Sequence, residues 1–169
     1  MFTFLTTERL ILREFALEDA SFIMQLLNTD GWLKYIGDRD IKTEADARTY
    51  LTKIINSYAA SGFGFYLVAL RNDQTPIGMS GLIKRDYMDC ADIGFAYLPD
   101  YEGRGYAYEA AMETLRFAQE DLRHTAVAAI TVSYNARSIA LIEKLGLAYH
   151  KTIRPPDDTE DVRVYYTSF

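Results

Sequence analysis

The chain has 169 residues, 49% apolar and 25% charged, the balance of one globular domain able to bury a core without disulfides or metal. Its lone cysteine, Cys90, excludes an internal disulfide, and with only His124 and His150 besides there are too few good ligands for zinc. A net charge of −6 argues against nucleic-acid or anionic-membrane partners, and no apolar run approaches membrane-spanning length.

Taken in chain order, Met1 to Leu5 meets Glu8 and Arg9 before a signal-peptide core develops, so a soluble cytoplasmic protein is expected. Thr7–Phe15 alternates as a first strand, with Leu10 and Leu12 on one face. Asp19–Asn28 reads as a short helix ended by Asp30-Gly31. Thr43-Glu44-Ala45-Asp46 has the form of a capping box, and Ala47, Leu51, Ile54 and Tyr58 then keep helical spacing up to Gly62. Phe65–Leu70 and Ile77–Ile83 form a hairpin about a turn at Arg71–Pro76; Gly78 and Gly81 in the second strand point to a bulge or a close backbone approach. Cys90–Leu98 is the next strand, followed by a helix over Tyr106–Gln119 with a stripe of small residues, Ala107, Ala110, Ala111 and Ala118, suited to packing on a sheet; Glu109 falls on its exposed side. Ala126–Val132 is a buried strand, Asn135 caps a helix that Gly146 ends, and Leu147–Ile153 and Val162–Phe169 are the last strands. The order is β-α-α-β-β-β-α-β-α-β-β: mixed α/β (α+β), a single domain over residues 1–169 on one mostly antiparallel sheet.

The chemistry concentrates at Glu102-Gly103-Arg104-Gly105-Tyr106-Ala107, where a strand feeds a glycine turn that becomes a helix N-terminus. Free backbone N–H groups converge there, the helix dipole adds partial positive charge, and the glycines allow close approach, so the turn suits a pyrophosphate. The side chain of Arg104 adds a formal charge. A dinucleotide fingerprint fits less well: its third glycine is replaced by Tyr108, and the turn lies past mid-chain.

Three stretches in order resemble the GNAT superfamily of acyl-CoA-dependent N-acetyltransferases, in particular the ribosomal-protein serine/alanine N-terminal acetyltransferase branch. They are Thr7-Glu8-Arg9-Leu10-Ile11-Leu12-Arg13; Asp92-Ile93-Gly94-Phe95 with Gly103-Arg104-Gly105-Tyr106-Ala107; and Asn135-Ala136-Arg137-Ser138 running to Glu143-Lys144-Leu145-Gly146-Leu147. The resemblance implies a sheet splayed into a V, with the pantetheine arm of acetyl-CoA along the backbone near Ala96, Tyr97 and Leu98. It implies amides from Gly103, Arg104, Gly105, Tyr106, Ala107 and Tyr108 around the pyrophosphate, and Asn135 and Ser138 facing the arm or thioester. For Asn135 plain helix capping is an equal alternative. No metal is expected.

Two positions depart from the family pattern. Glu102 begins the glycine motif, and its carboxylate repels a pyrophosphate unless it turns away. Ile142 stands seven residues after Asn135, where many relatives carry a tyrosine that protonates the leaving thiolate; Ser138 and Tyr134 are the nearest replacements. For the base, Asp92 competes with His150, each also readable as an ordinary strand residue. The acidic run Asp157, Asp158, Glu160 and Asp161 reads first as a solvated loop. The expected function is acetyl transfer to a primary amine, a protein or peptide N-terminus first and a polyamine, amino acid or aminoglycoside second, by a monomer or homodimer. A non-catalytic acyl-CoA sensor is the rival from another class.

Overall fold

The computed structural model describes residues 5–169; residues 1–4, on which part of the signal-peptide reading falls, lie outside the described residues. Eight strands form one sheet in the order β1-β2-β3-β4-β5-β6-β8-β7. They are β1 (Leu5–Thr6), β2 (Leu10–Glu14), β3 (Phe65–Leu70), β4 (Pro76–Ile83), β5 (Asp92–Tyr97), β6 (Ala126–Val132), β7 (Ala148–Ile153) and β8 (Val162–Ser168). Every neighbouring pair is antiparallel except β5 and β6. The helices are α1 (Ala20–Leu27), α2 (Asp30–Tyr35), α3 (Glu44–Ser61), α4 (Tyr106–Glu120) and α5 (Ala136–Lys144).

The alternation along β3 shows how the sheet is covered. Tyr66 and Val68 face a core shared with Ala110, Leu115 and Ala118 of α4 and Ile142 of α5. Leu67 and Ala69 point the other way, to Ile23 and Leu26 of α1 and Leu51 of α3. Successive strand residues take opposite faces, so one strand anchors both helical layers. Local signals set the helix ends. In α3 the side chain of Thr43 accepts from Asp46 N–H, Asp46 reaches back to Thr43 N–H, and Gly62 closes the helix at φ 78°.

Two elements differ from the sequence expectation. The strand expected over Thr7–Phe15 is shorter, Leu10–Glu14, and follows a two-residue strand paired Leu5 to Leu12, because Thr7 folds the chain back on Leu10: Thr7 N–H donates to Leu10 O at 3.0 Å and Thr7 Oγ1 accepts from Leu10 N–H at 3.0 Å. Asp30-Gly31 opens a helix instead of ending one, since Thr29 caps α2 by accepting from Trp32 N–H at 3.3 Å. The glycines of β4 mark close approach, as a Cβ on Gly78 would collide with the Tyr97 ring; the irregularity in register lies opposite, between Val68 and Ala69. No helix among the described residues is long and apolar enough to cross a membrane.

Candidate active site

The parallel neighbours β5 and β6 are in register only at Asp92 and Ala128, with Ala128 N–H donating to Ala91 O at 2.9 Å. β5 remains bonded to β4 out to Tyr97, and β6 remains bonded to β8 along its length. The two strands therefore part after one pair, and their facing edges line a cleft of about 1710 Å³. That exceeds the roughly 300–1,000 Å³ of a drug-sized site and leaves room for a long cosubstrate and an acceptor together.

Strand alternation decides which backbone groups face the gap. Ala91 O points to β6, whereas Leu98 N–H donates to Ile77 O of the β4 side at 2.9 Å. Strand amides and carbonyls alternate edges with a period of two, so Phe95 and Tyr97 present theirs to the cleft, beyond the Ile93 amide that the Asp92–Ala128 pair engages, while Ala96 and Leu98 turn theirs to β4. Of the three residues expected along the pantetheine arm, Tyr97 lies on the open edge. Phe95 lies on the same open edge and was not among the expected residues. Leu98 packs instead in the core on the α1–α3 side.

At the wide end of the cleft stands the N-terminus of α4. Its cap, Gly105, has φ 83° and offers no side chain, and the first ladder bond runs from Glu109 N–H to Gly105 O at 3.0 Å. The amides ahead of Glu109 therefore have no helical acceptor. Gly103, Gly105, Ala107 and Tyr108 line the cleft. Arg104 is exposed, its guanidinium 6.0 Å from the Tyr101 ring centroid, and Tyr106 lies beneath the guanidinium of Arg9, 4.5 Å from its ring centroid. Neither of those two residues lines the cleft: Tyr106 faces Arg9 on the outer side, and the Arg104 carbonyl is turned to Arg9 as well. Glu102 is turned to Arg137 Nη1 at 2.8 Å, so its charge is balanced by a residue of α5.

Asn135 and Ser138 lie on the opposite wall, and Asn135 caps α5 by accepting from Ser138 N–H at 3.2 Å. Capping and cleft-facing are thus compatible. Among the described residues no protein group bonds the Ser138 hydroxyl. Ile142 is 1% exposed in the core, so the position many relatives give to a tyrosine serves packing here. Tyr134 donates to Glu160 at 2.8 Å, and that bond pushes the phenol above its ordinary value. Glu160 and Asp158 of the acidic loop both reach the cleft wall.

Asp92 sits where the strands part and is 1% exposed. Burial raises its carboxyl above the ordinary carboxylate range, and Arg85, whose Nε is 2.8 Å away, opposes that shift without cancelling it. Arg85 went unnoticed in the sequence, although the β4–β5 hairpin, with Ile83 opposite Asp92, was enough to bring it near. His150 does not join this group. It is exposed on β7, 5.2 Å from the Tyr166 ring centroid and off the cleft wall, because β8 separates β7 from β6. Residues of α2 and α3 also line the cleft, with Trp32, Tyr35 and Tyr50 in its wall and the buried Trp32 Nε1–H without a protein acceptor among the described residues.

The acetyltransferase (GNAT) domain family matches residues 9–148. An uncharacterized N-acetyltransferase of Bacillus subtilis, YnaD, is 27% identical over 143 residues, 85% of this chain and 81% of that protein. An acetyltransferase from Agrobacterium tumefaciens superposes with a TM-score of 0.85 at 24% identity, covering 100% of this chain and 96% of that one. The ribosomal L7/L12 alpha-N-protein acetyltransferase RimL, solved in complex with coenzyme A, reaches a TM-score of 0.85 at 15% identity, covering 99% and 98%. A strand pair parted at one residue, a bare helix N-terminus and a family match over residues 9–148 agree, and the chain belongs to the GNAT acetyltransferases.

Proposed function

We propose that this acetyl-CoA-dependent acetyltransferase modifies a primary amine, first the N-terminal amine of a protein or peptide, by direct attack within a ternary complex. The observation that carries the proposal is the single register pair between β5 and β6. It leaves an open strand edge that leads from the amides at Gly103–Tyr108 to Asp92. Coenzyme A fits such a cleft: a pyrophosphate against amides without Cβ obstruction at Gly103 and Gly105, and an amide-bearing arm along Phe95 and Tyr97 as an added strand. Bound there, acetyl-CoA supplies a thioester whose carbonyl carbon takes the amine.

Within that frame each residue has one task. Asp92, raised by burial, accepts the proton that the amine loses, directly or through water. A backbone N–H of Phe95 or Tyr97 steadies the oxygen that gains charge. The Ser138 hydroxyl, and failing it Tyr134, returns a proton to the departing sulfur. The N–C bond forms and the C–S bond breaks; one proton passes from nitrogen to Asp92 and on to solvent, while the thiolate takes a proton from the Ser138 hydroxyl, which solvent replaces. The α-amine is favoured over a small polyamine because RimL, a structural neighbour, is described as an alpha-N-protein acetyltransferase. The test is CoA release across peptides starting with Ser or Ala, polyamines, amino acids and aminoglycosides. Turnover on the peptides supports the proposal, and turnover confined to a small amine replaces it.

A further inference from the structure

The opening Thr7-Glu8-Arg9 segment lies outside the cleft and has no task in acetyl transfer, yet it is bonded to the phosphate turn 95 residues away. The β1–β2 turn at Thr7–Arg9 projects Arg9 toward α4. Its Nη1 donates to the carbonyl of Arg104 at 3.0 Å, and its Nε donates to Glu109 Oε2 at 2.7 Å. Its backbone N–H and the Thr7 hydroxyl both donate to Glu109 Oε1, at 2.8 and 2.5 Å. The guanidinium plane also covers Tyr106, and Arg9 Nη2 comes so close to Gly105 that a Cβ there would sit 3.2 Å from it. One side chain thus touches three consecutive residues of the turn. Glu109 is held too: burial alone raises its carboxyl, but the bonds from Thr7 and Arg9 outweigh burial and keep it below its ordinary value, charged.

We infer that Arg9 is a positioning residue for the pyrophosphate turn, an inference that rests on the proposed binding of acetyl-CoA there. In a trans peptide the C=O and the following N–H point in opposite directions. The Arg9 bond holds the Arg104 carbonyl on the outer side, so the Gly105 N–H is turned to the inner side, where Gly105 lines the cleft. Arg9 therefore never touches the cosubstrate. It fixes the peptide plane that does, and the Glu109 fork fixes Arg9 in turn.

The effect is specific to the phosphate end, which gives a readout that loss of folding alone would not produce. Arg9→Gln is expected to raise the KM for acetyl-CoA roughly 10- to 100-fold, the factor of a lost hydrogen bond to a charged group. It is expected to leave kcat within about threefold, as for an interaction made equally in ground and transition states. With S-acetylpantetheine, which carries the thioester arm but no pyrophosphate, kcat/KM stays at the wild-type value. Arg9→Lys, which keeps a charge but loses the fork, falls between, and it serves alone if Arg9→Gln does not fold. An unchanged acetyl-CoA KM, or an equal loss on acetyl-CoA and S-acetylpantetheine, overturns the inference. A wild-type enzyme that shows no saturation with acetyl-CoA overturns the underlying cofactor site instead, and the inference with it.

Discussion

The conformation of Gly105 offers a test in which strain and binding separate. Its φ of 83° is left-handed, and Gly105→Ala puts a Cβ 3.2 Å from Arg9 Nη2. The left-handed backbone costs an L-residue about 1–2 kcal/mol. For a chain of this size each kcal/mol lowers Tm by about 2–4 °C, so a loss of roughly 2–8 °C is expected. The displaced guanidinium also slackens the bond that orients the Gly105 amide, and losing one well-aimed charge-assisted bond raises the acetyl-CoA KM about tenfold. Gly146→Ala is the matched control. Gly146 has φ 92°, nothing lies within 4 Å of a Cβ there, and it is off the cleft wall. It should lose a similar Tm and keep the wild-type KM. Thermal melts and initial rates of CoA release, run on both variants, compare the two directly. A Gly105→Ala enzyme with wild-type KM, or equal KM changes in both variants, would refute the placement of the pyrophosphate.

Three other changes test the rest of the cleft. Asp92→Asn should lower kcat by about 10²–10⁴-fold and abolish the acid limb of the kcat/KM profile, which in the wild type lies above the ordinary carboxylate range because activity needs the deprotonated form of a group raised by burial; His150→Ala should leave rate and profile unchanged. Ser138→Ala should lower kcat at least about tenfold with little change in acetyl-CoA KM, and unchanged kcat would move the proton donor to Tyr134. Glu102→Gln removes a carboxylate beside the anion site whose pairing with Arg137 is exposed and worth only about 0.2–1 kcal/mol. Tm should hold while acetyl-CoA KM falls by a few-fold, more at low salt; a rise in KM would mean that Glu102 supports the turn.

The parts of this structure that rest on neighbours in sequence were legible. Thr43 with Asp46, Gly105 before Tyr106 and Asn135 before Ala136 mark helix starts through bonds spanning a few residues, and all appear where the pattern puts them. The same logic misplaced α2, because Asp30-Gly31 is as good a stop as a start and only the Thr29 cap decides. Contacts between distant segments left no such trace. Glu109 reads as an exposed helix residue until Arg9 arrives from the β1–β2 turn. His150 lies off the cleft for a topological reason. The chain enters β7 directly after α5, but β8 inserts between β7 and β6 and carries His150 away from the cleft. For the strand edge, the phase of β5 against β4 settles which amides are open, and that phase is a property of the sheet.

The most direct test of the central claim is mass spectrometry of the acceptor after incubation with acetyl-CoA and peptides beginning with Ser or Ala, with CoA release followed in parallel. The account predicts one acetyl group on the N-terminal amine for each CoA released, lost in the Asp92→Asn variant. Tight binding of acetyl-CoA with no acetylated peptide amine, whether or not a polyamine, amino acid or aminoglycoside is acetylated, would contradict it.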